Sequence, residues 1–500
     1  MVSRAALARE RYRSSYRGST PAPIGGWNTR DDLANMPRAD AAVFDNWLPD
    51  TNAVRLRKGY QQFCTGVGSG NVETLQSHVT TSGTDKLLAC GGGRIYDITS
   101  GSATSLATGF ASNRWDTVDF NRGVVFCNGA DQPQIYDGST VSAASFVGGD
   151  ISHDRFFSVH VFKNRVYYAA KDELAFWYTE LFASTGTVTK FPLTGIAERG
   201  GSVVSINSWT VDGGSGPDDF LAVFTSEGEV LVYQGSDPGD DFAIVGRFYV
   251  GPIVDNRAIA PIYGKLFVVT NRDYIYAPDQ FITQGGGRDS KLSGAARDAL
   301  ALYSGFAGWQ AHYSPNEGLM IVNVPTGEST SVQHVTNVRT GAATRFTNLN
   351  AMVFGEFNNK LYFGGTGGKV YRYSGTTDDG SAITAIAKTA PTILRSNSEK
   401  RVSAYRPRLI SVGNVTAVSG LAYDFHPVAF KQSISLSATS GTVLPADWPF
   451  DWASEDTTRE EWMRGAGRGT FVQLFLQVSS TVDVDWLGTD FISEPGGILR

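Results

Sequence analysis

The chain has 500 residues, enough for two or three domains or one large β architecture. With 41% hydrophobic and 18% charged residues it can bury a core, which excludes global disorder. Its net charge of −6, from 43 basic and 49 acidic residues, argues against a general nucleic-acid binder, which needs a basic footprint on phosphates. A surface past which DNA slides without sticking is still compatible with that balance.

Three cysteines, Cys64, Cys90 and Cys127, are odd in number and widely spaced, so neither a disulfide framework nor a zinc spacing follows. A reducing cytosol is the expected folding compartment. No apolar stretch after Met1 reads as a signal peptide, and no run reaches the ~18 apolar residues of a membrane span. The 56 glycines and 12% aromatic residues point to many tight turns between half-buried strands.

Residues 1–30 read as a basic arm. Arg4, Arg9, Arg11, Arg13 and Arg17 are opposed by one early acid, Glu10, and Gly18, Pro21 and Pro23 break any helix. These five arginines are candidate partner contacts; the competing reading is a frayed, solvated terminus. In residues 54–60, Val54, Leu56 and Lys58 alternate with Arg55 and Arg57, which predicts a strand that completes a sheet formed mostly by later sequence.

From about residue 86 to 373 one signal recurs: a β-rich run, a polar or Gly turn, and a second run rich in Tyr, Ile or Val. Residues 86–90 pass through Gly91-Gly92-Gly93 into Ile95-Tyr96-Asp97, and 124–127 turn near Asn128-Gly129 into Ile135-Tyr136. The same pattern joins 165–169 to 174–178, 220–225 to 230–233, 265–270 to 274–276, and 361–363 to 370–373. A run at 319–324 is followed by Pro325 and a polar loop. A lone hairpin is barely stable, and radial repetition at this 37- to 55-residue spacing, read off the sequence, gives each sheet two neighbours. The expected fold is all-β: a β-propeller of six or seven blades over residues 31–400, including its N-terminal closing strand. Two unrelated sandwiches are the alternative.

Residues 293–303 carry a helical pattern in which Leu292, Ala295, Ala299, Leu302 and Tyr303 share a face. Residues 401–500 read as a separate β-sandwich or platform domain. Its clearest strand is 470–478, with Val472, Leu474, Leu476 and Val478 on one face and 483–492 as its partner across a short turn.

No catalytic pattern survives scrutiny. Ser152-His153-Asp154 has the residue types of a triad, but neighbours on a strand point apart. The six histidines show no metal spacing. Gly364–Lys369 has the wrong spacing for a phosphate loop and lies between strands. The acidic loops 213–219 and 237–241 could offer calcium oxygen ligands, although turn chemistry alone accounts for them. No cofactor, metal or catalytic residue is expected.

Two ends of the chain carry a family resemblance. Ala22-Pro23-Ile24-Gly25-Gly26-Trp27-Asn28-Thr29-Arg30, continuing to Asp45-Asn46-Trp47-Leu48-Pro49 and Val54-Arg55-Leu56-Arg57-Lys58-Gly59-Tyr60, resembles the opening of tail proteins of short-tailed (podovirus-type) bacteriophages. Glu461-Trp462-Met463-Arg464-Gly465-Ala466-Gly467-Arg468, followed by 471–478 and 484–491, is similar to the end of the phage stabilisation, or tail nozzle, family. The resemblance implies a non-enzymatic virion protein, assembled in the host cytoplasm. It implies a homohexameric ring below the portal and adaptor, in contact with fibres or needle, through which DNA is ejected. Asp218, Asp219, Asp237, Asp240 and Asp241 are then candidates for acidic loops facing that lumen. A fibre-attachment or receptor-binding propeller and a carbohydrate-active propeller enzyme are the alternatives.

Overall fold

Short runs of β-branched and aromatic residues between Gly, Asn and Asp can satisfy their backbone groups best by pairing with the next run. The computed structural model describes residues 15–212, 217–277, 291–395, 397–436 and 457–495. Among these the protein is all-β, with one α-helix, Ser293–Tyr303. Arg4, Arg9, Arg11 and Arg13 lie outside the described residues. Contacts divide the chain into two compact units: Lys58–Gly380, and Met1–Arg57 together with Ser381–Arg500.

Among the described residues of Lys58–Gly380, strands pair mostly antiparallel in seven successive groups, each called a sheet below. The first runs Thr74–Val79, Asp85–Gly91, Arg94–Asp97, Thr104–Thr108, and the second Asp116–Phe120, Gly123–Cys127, Gln134–Tyr136, Val141–Ala143. The third is Phe156–Phe162, Arg165–Ala170, Ala175–Thr179, Gly186–Pro192, with Phe146–Val147 added in parallel. The fourth is Val203–Asp212, Pro217–Thr225, Glu229–Gln234, Ala243–Tyr249; the fifth holds Ile259–Ile262, Lys265–Val269, Tyr274–Ala277. The sixth is Gln310–Ser314, Leu319–Gly327, Thr330–Asn337, Ala343–Phe346. The seventh is Val353–Phe357, Lys360–Gly364, Val370–Tyr373, completed by Tyr60–Cys64 from the start of the unit.

The first strands stand side by side. Thr74–Val79 meets Asp116–Phe120, which meets Phe156–Phe162, which meets Val203–Asp212. Val203–Asp212 meets the fifth sheet through Lys265–Val269, Ile259–Ile262 meets Gln310–Ser314, and that strand meets Val353–Phe357. Val353–Phe357 returns to Thr74–Val79, so the succession closes on itself. The cores lie between neighbouring sheets: Leu87, Tyr96, Val353 and Tyr362 between the first and seventh, and Leu88, Ile95, Trp115 and Phe126 between the first and second. Val125, Phe156, Val166 and Trp177 fill the next gap, and Phe162, Tyr167, Leu221 and Leu231 the one after. Each fully buried side chain of this kind contributes roughly 1.5–3 kcal/mol, so the first, second and third sheets are each held by both neighbours.

Several hairpins between first and second strands turn on two residues with positive φ: Asn121-Arg122, Lys163-Asn164, Tyr263-Gly264 and Asn358-Asn359. Such turns match the right-handed twist of the flanking strands.

The closing strand differs from the expected one. Residues 54–60 are not continuous: Val54–Leu56 pairs with Trp47–Pro49 and Val484–Pro495, and only Tyr60–Cys64 enters the seventh sheet. The break falls at Gly59, where a Cβ would stand 2.0 Å from the Thr377 carbonyl oxygen. The helix also presents another face: Ala295, Ala296, Ala299 and Leu300 are buried, whereas Leu302 is exposed. Pro325 does not end its strand; Leu319–Gly327 runs through it at a bulge, where a missing amide hydrogen is tolerated.

The other unit holds two sheets. One orders Thr457–Glu460, Lys400–Ser411, Val484–Pro495, Val54–Leu56 and Trp47–Pro49, with Tyr16–Pro21 also on Val484–Pro495. The second joins Gly26–Trp27, Asp40–Asp45, Ser381–Thr389, Val472–Ser480, Val415–Tyr423 and Lys431–Leu436. Residues 31–57 and 381–400 therefore belong with the C-terminal strands, not with a body spanning 31–400. Arg17 sits in a paired strand and not in a free arm. Val472, Leu474, Leu476 and Val478 are buried as the alternation requires. Their strand does not pair with Val484–Pro495, however; the short connection crosses from one sheet to the other, held by the Ser480 hydroxyl and Val482.

Candidate functional site

The first strands of the seven sheets surround a polar cavity of about 400 Å³ in Lys58–Gly380. Gln76, Thr117, His160, Asn207, His312 and Glu356 are among its lining. Alternation explains this: on each strand one face packs into a core between sheets and the other is left for polar side chains.

One end of the cavity is stitched by arginines. Arg257, just before the fifth sheet, donates to the Glu73 carbonyl at 2.7 Å and to the Thr74 hydroxyl at 2.9 Å, both leading the first sheet. It also donates to the carbonyl of Trp115, which leads the second. The fifth sheet is not adjacent to the first or second, so Arg257 reaches across the axis. Its own carbonyl accepts from Ala311 of the sixth sheet at 2.9 Å. Beside it, Arg114 donates to Asp255 at 2.8 Å and to the Trp309 carbonyl at 3.0 Å. Burial, and then the charge of Arg114, push the Arg257 guanidinium down to about 10, although Asp116 and Asp255 oppose this. Burial likewise raises Asp116 above the usual carboxylate value, against the pull of Arg257 and of the Val159 amide.

Among the described residues, the histidines in and beside the cavity have separate partners. His160 Nε2 lies 2.7 Å from the Ser208 hydroxyl, but burial depresses this imidazole to about 4, which makes a weak base, and no carboxylate orients it. His78 meets the Asp119 carboxylate at 2.7 Å and no hydroxyl. His312 and Glu356 stand 3.7 Å apart. Elements of a triad are thus present on different strands and are not assembled.

Ser152-His153-Asp154 lies at a short 3₁₀ turn, His153–Arg155. Ser152 donates to Asp154 at 2.5 Å, while His153 Nε2 lies 3.0 Å from the Gly148 carbonyl oxygen. Serine and histidine therefore have separate partners.

Asp219, Asp237, Asp240 and Asp241 do not line the central cavity, and the side chain of Asp218 lies outside the described residues. Asp218 and Asp219 lie in the strand Pro217–Thr225, and Asp219 is 3.6 Å from Lys163. Asp237 pairs with Arg165 at 2.6 Å. Asp241 accepts from the Ser236 and Asp237 amides, which hold its carboxyl below the usual value. Asp240 is exposed in the same turn, its amide donating to the Asp237 carbonyl. The turn is held by its own hydrogen bonds and ion pair, and no cluster of three potential metal ligands occurs among the described residues. Sequence reading missed Arg114, Asp255 and Arg257, because an arginine that crosses a ring leaves no periodic signal.

No protein-family model matches the chain, and no curated protein matches it. Among solved structures it is similar to the computationally designed Ika8 protein, at 11% identity over 66% of this chain and 96% of that one, with a TM-score of 0.38. It is similar to Sqt1 of Saccharomyces cerevisiae at 10% identity, over 59% and 82% of the two chains, TM-score 0.37. Raptor of Chaetomium thermophilum gives 12% identity, 64% and 29% coverage and a TM-score of 0.41. Likenesses of this size carry no argument about function.

Proposed function

We propose that this protein is a non-catalytic structural subunit of a short bacteriophage tail, of the nozzle type. In this reading a seven-bladed β-propeller, closed by Tyr60–Cys64, is inserted in a β-sandwich built from both chain ends. The observation that carries the reading is where the two resembling ends lie. Val54 pairs with Trp486 and Arg55 with Asp485, and the Trp47 and Trp486 rings approach to 5.9 Å. Segments more than 400 positions apart in the numbering are thus neighbours in one sheet, as expected if both belong to one platform.

The site chemistry supports a wall in preference to a reaction centre. In the cavity Thr117 bonds to Gln76, His160 to Ser208 and Gln310 to the Phe354 backbone, and Arg257 stitches one end. The surplus of acid lies in Lys58–Gly380, with 31 acidic against 23 basic residues, which suits a surface that DNA passes without adhering. Copies form a sixfold ring that meets portal and adaptor above and fibres or needle below. Immunogold labelling of particles tests the placement: label at the tail below the head is expected, and label confined to the capsid, or absent from particles, contradicts it.

A further inference from the structure

The motif Glu461–Arg468 contributes only the two-residue strand Met463–Arg464 to the sheets. Its glycines explain its shape. A Cβ on Gly465 would stand 2.0 Å from the Val402 carbonyl oxygen, one on Gly467 2.6 Å from the Tyr423 ring, and one on Gly469 2.6 Å from the Asp424 carboxylate. Gly467 also has φ +106°. The Gly465 amide donates to Ser403 at 2.9 Å and the Gly469 amide to Lys400 at 3.0 Å, which locks the loop at both ends. A Cβ on any of the three glycines would thus run into the protein, while Arg464, Ala466 and Arg468 are exposed. With Arg401 and the half-exposed Phe430 they line a recess of about 470 Å³.

None of these three arginines has a carboxylate within ion-pair distance among the described residues, whereas Arg406 and Arg408, farther along the strand that holds Arg401, both reach Asp490. Three like charges around a recess, two on a loop locked at both ends and one on the strand Lys400–Ser411, favour a ligand that brings carboxylates, because guanidinium groups take them bidentately and little ordering of the backbone remains to be done. Phe430 and Ala466 give the recess an apolar part, which suits a polypeptide better than a phosphate backbone. Three charges are also few for holding duplex, given that six to ten phosphate contacts typify strong binders.

We propose that this recess is an arginine socket for a carboxylate-bearing surface on the 58–380 unit of a second copy of this chain; the proposal rests on the ring reading above. Charge complementarity favours that occupant: the 58–380 unit carries the acidic surplus, while the remainder has 20 basic against 18 acidic residues. In a ring each copy offers one surface to the copy before it and a different one to the copy after it. The socket and the acidic surface are such a pair.

The test uses full-length protein in three forms: wild type, R464E/R468E and R464K/R468K. Sedimentation over a range of concentration and salt is expected to show association weakened at least about tenfold in R464E/R468E. Its thermal unfolding should match wild type, because both side chains are exposed. R464K/R468K is expected to associate measurably. Zero-length carbodiimide coupling in a mixture of isotope-labelled and unlabelled copies should join its new lysines to carboxylates of residues 58–380 of another copy. Undiminished association of R464E/R468E while wild type forms rings overturns the socket and leaves the ring reading standing. Coupling confined to single copies overturns the socket also. Loss of duplex DNA binding in R464E/R468E, with association intact, assigns the socket to phosphate and overturns the proposal. A wild type that stays monomeric overturns both socket and ring.

Discussion

Replacing Arg257 with Met removes the side chain that ties the fifth sheet to both the first and the second across the axis, and leaves the Arg114–Asp255 pair as the remaining link to the second. Charge-assisted hydrogen bonds contribute roughly 1.5–3 kcal/mol each, and three are lost, to Glu73, Thr74 and Trp115. Two effects offset this. The guanidinium no longer has to be dehydrated, a cost visible in its depressed pKa, and water from the adjoining cavity re-satisfies part of the orphaned acceptors. Asp116 meanwhile loses the cation that lowers its pKa. Breaking a buried charged cluster from one side costs about 3–5 kcal/mol, and the wet cavity places this case at about 3 kcal/mol. For a unit of this size that is a fall of about 4 °C in Tm. Urea and thermal unfolding followed by tryptophan fluorescence measure it. The pH dependence adds a sign. Asp116 attracts Arg257 only when ionised, so the deficit of the variant is smallest in acid, where Asp116 is protonated, and grows as pH rises through its elevated pKa. A variant within about 0.5 kcal/mol of wild type at neutral pH, or a deficit that shrinks with rising pH, refutes the latch.

Other outcomes follow from the same contacts. Burial and Arg345 depress His334 from 6.5 to about 3, so this residue contributes stability above its unfolded value that is lost as pH falls towards about 3; His334→Gln should flatten the urea midpoint over that window. Trp486 is 1% exposed, and Trp486→Ala should cost about 3–5 kcal/mol in the unit built from the chain ends, read as increased amide exchange in Lys400–Ser411 and Val484–Pro495. Deleting residues 1–19 strips most of the strand Tyr16–Pro21 from Val484–Pro495, so amides of residues 490–493 should exchange faster and ring assembly should fall; unchanged exchange and assembly would show that the strand is dispensable. His153→Ala and Asp154→Ala should alter stability at most, and loss of a measured hydrolase activity in either would overturn the non-enzymatic reading.

What was legible in the sequence was the local grammar. Hairpins such as Asp85–Gly91 with Arg94–Asp97 announce themselves through Gly92 and Gly93, both at positive φ, between β-branched and aromatic runs. The buried alternation of Val472, Leu474, Leu476 and Val478 was equally plain. Which strand pairs with which was less so. Val54–Leu56 and Tyr60–Cys64 look continuous, because a steric stop at Gly59 depends on Thr377, which is remote in sequence. The connection after Ser480 is as short as a hairpin, yet it crosses between sheets, since each flanking strand already has better partners on both sides. Arg17 read as part of a free arm because its partner strand lies at the other end of the chain. At the site, single residues such as Arg257 act through long-range geometry that no spacing rule encodes. The Gly465–Arg468 loop was noticed as a motif, but its alternation of inward glycine and outward arginine needs the packing of Val402 and Tyr423 to be seen.

Single-particle imaging of the purified full-length protein tests the central claim most directly. A subunit of a tail nozzle gives closed sixfold rings with an open axis, each copy showing a propeller whose own centre is closed at one end. Monomers or trimers at concentrations well above those in an infected cell, or rings without an axial opening, contradict it.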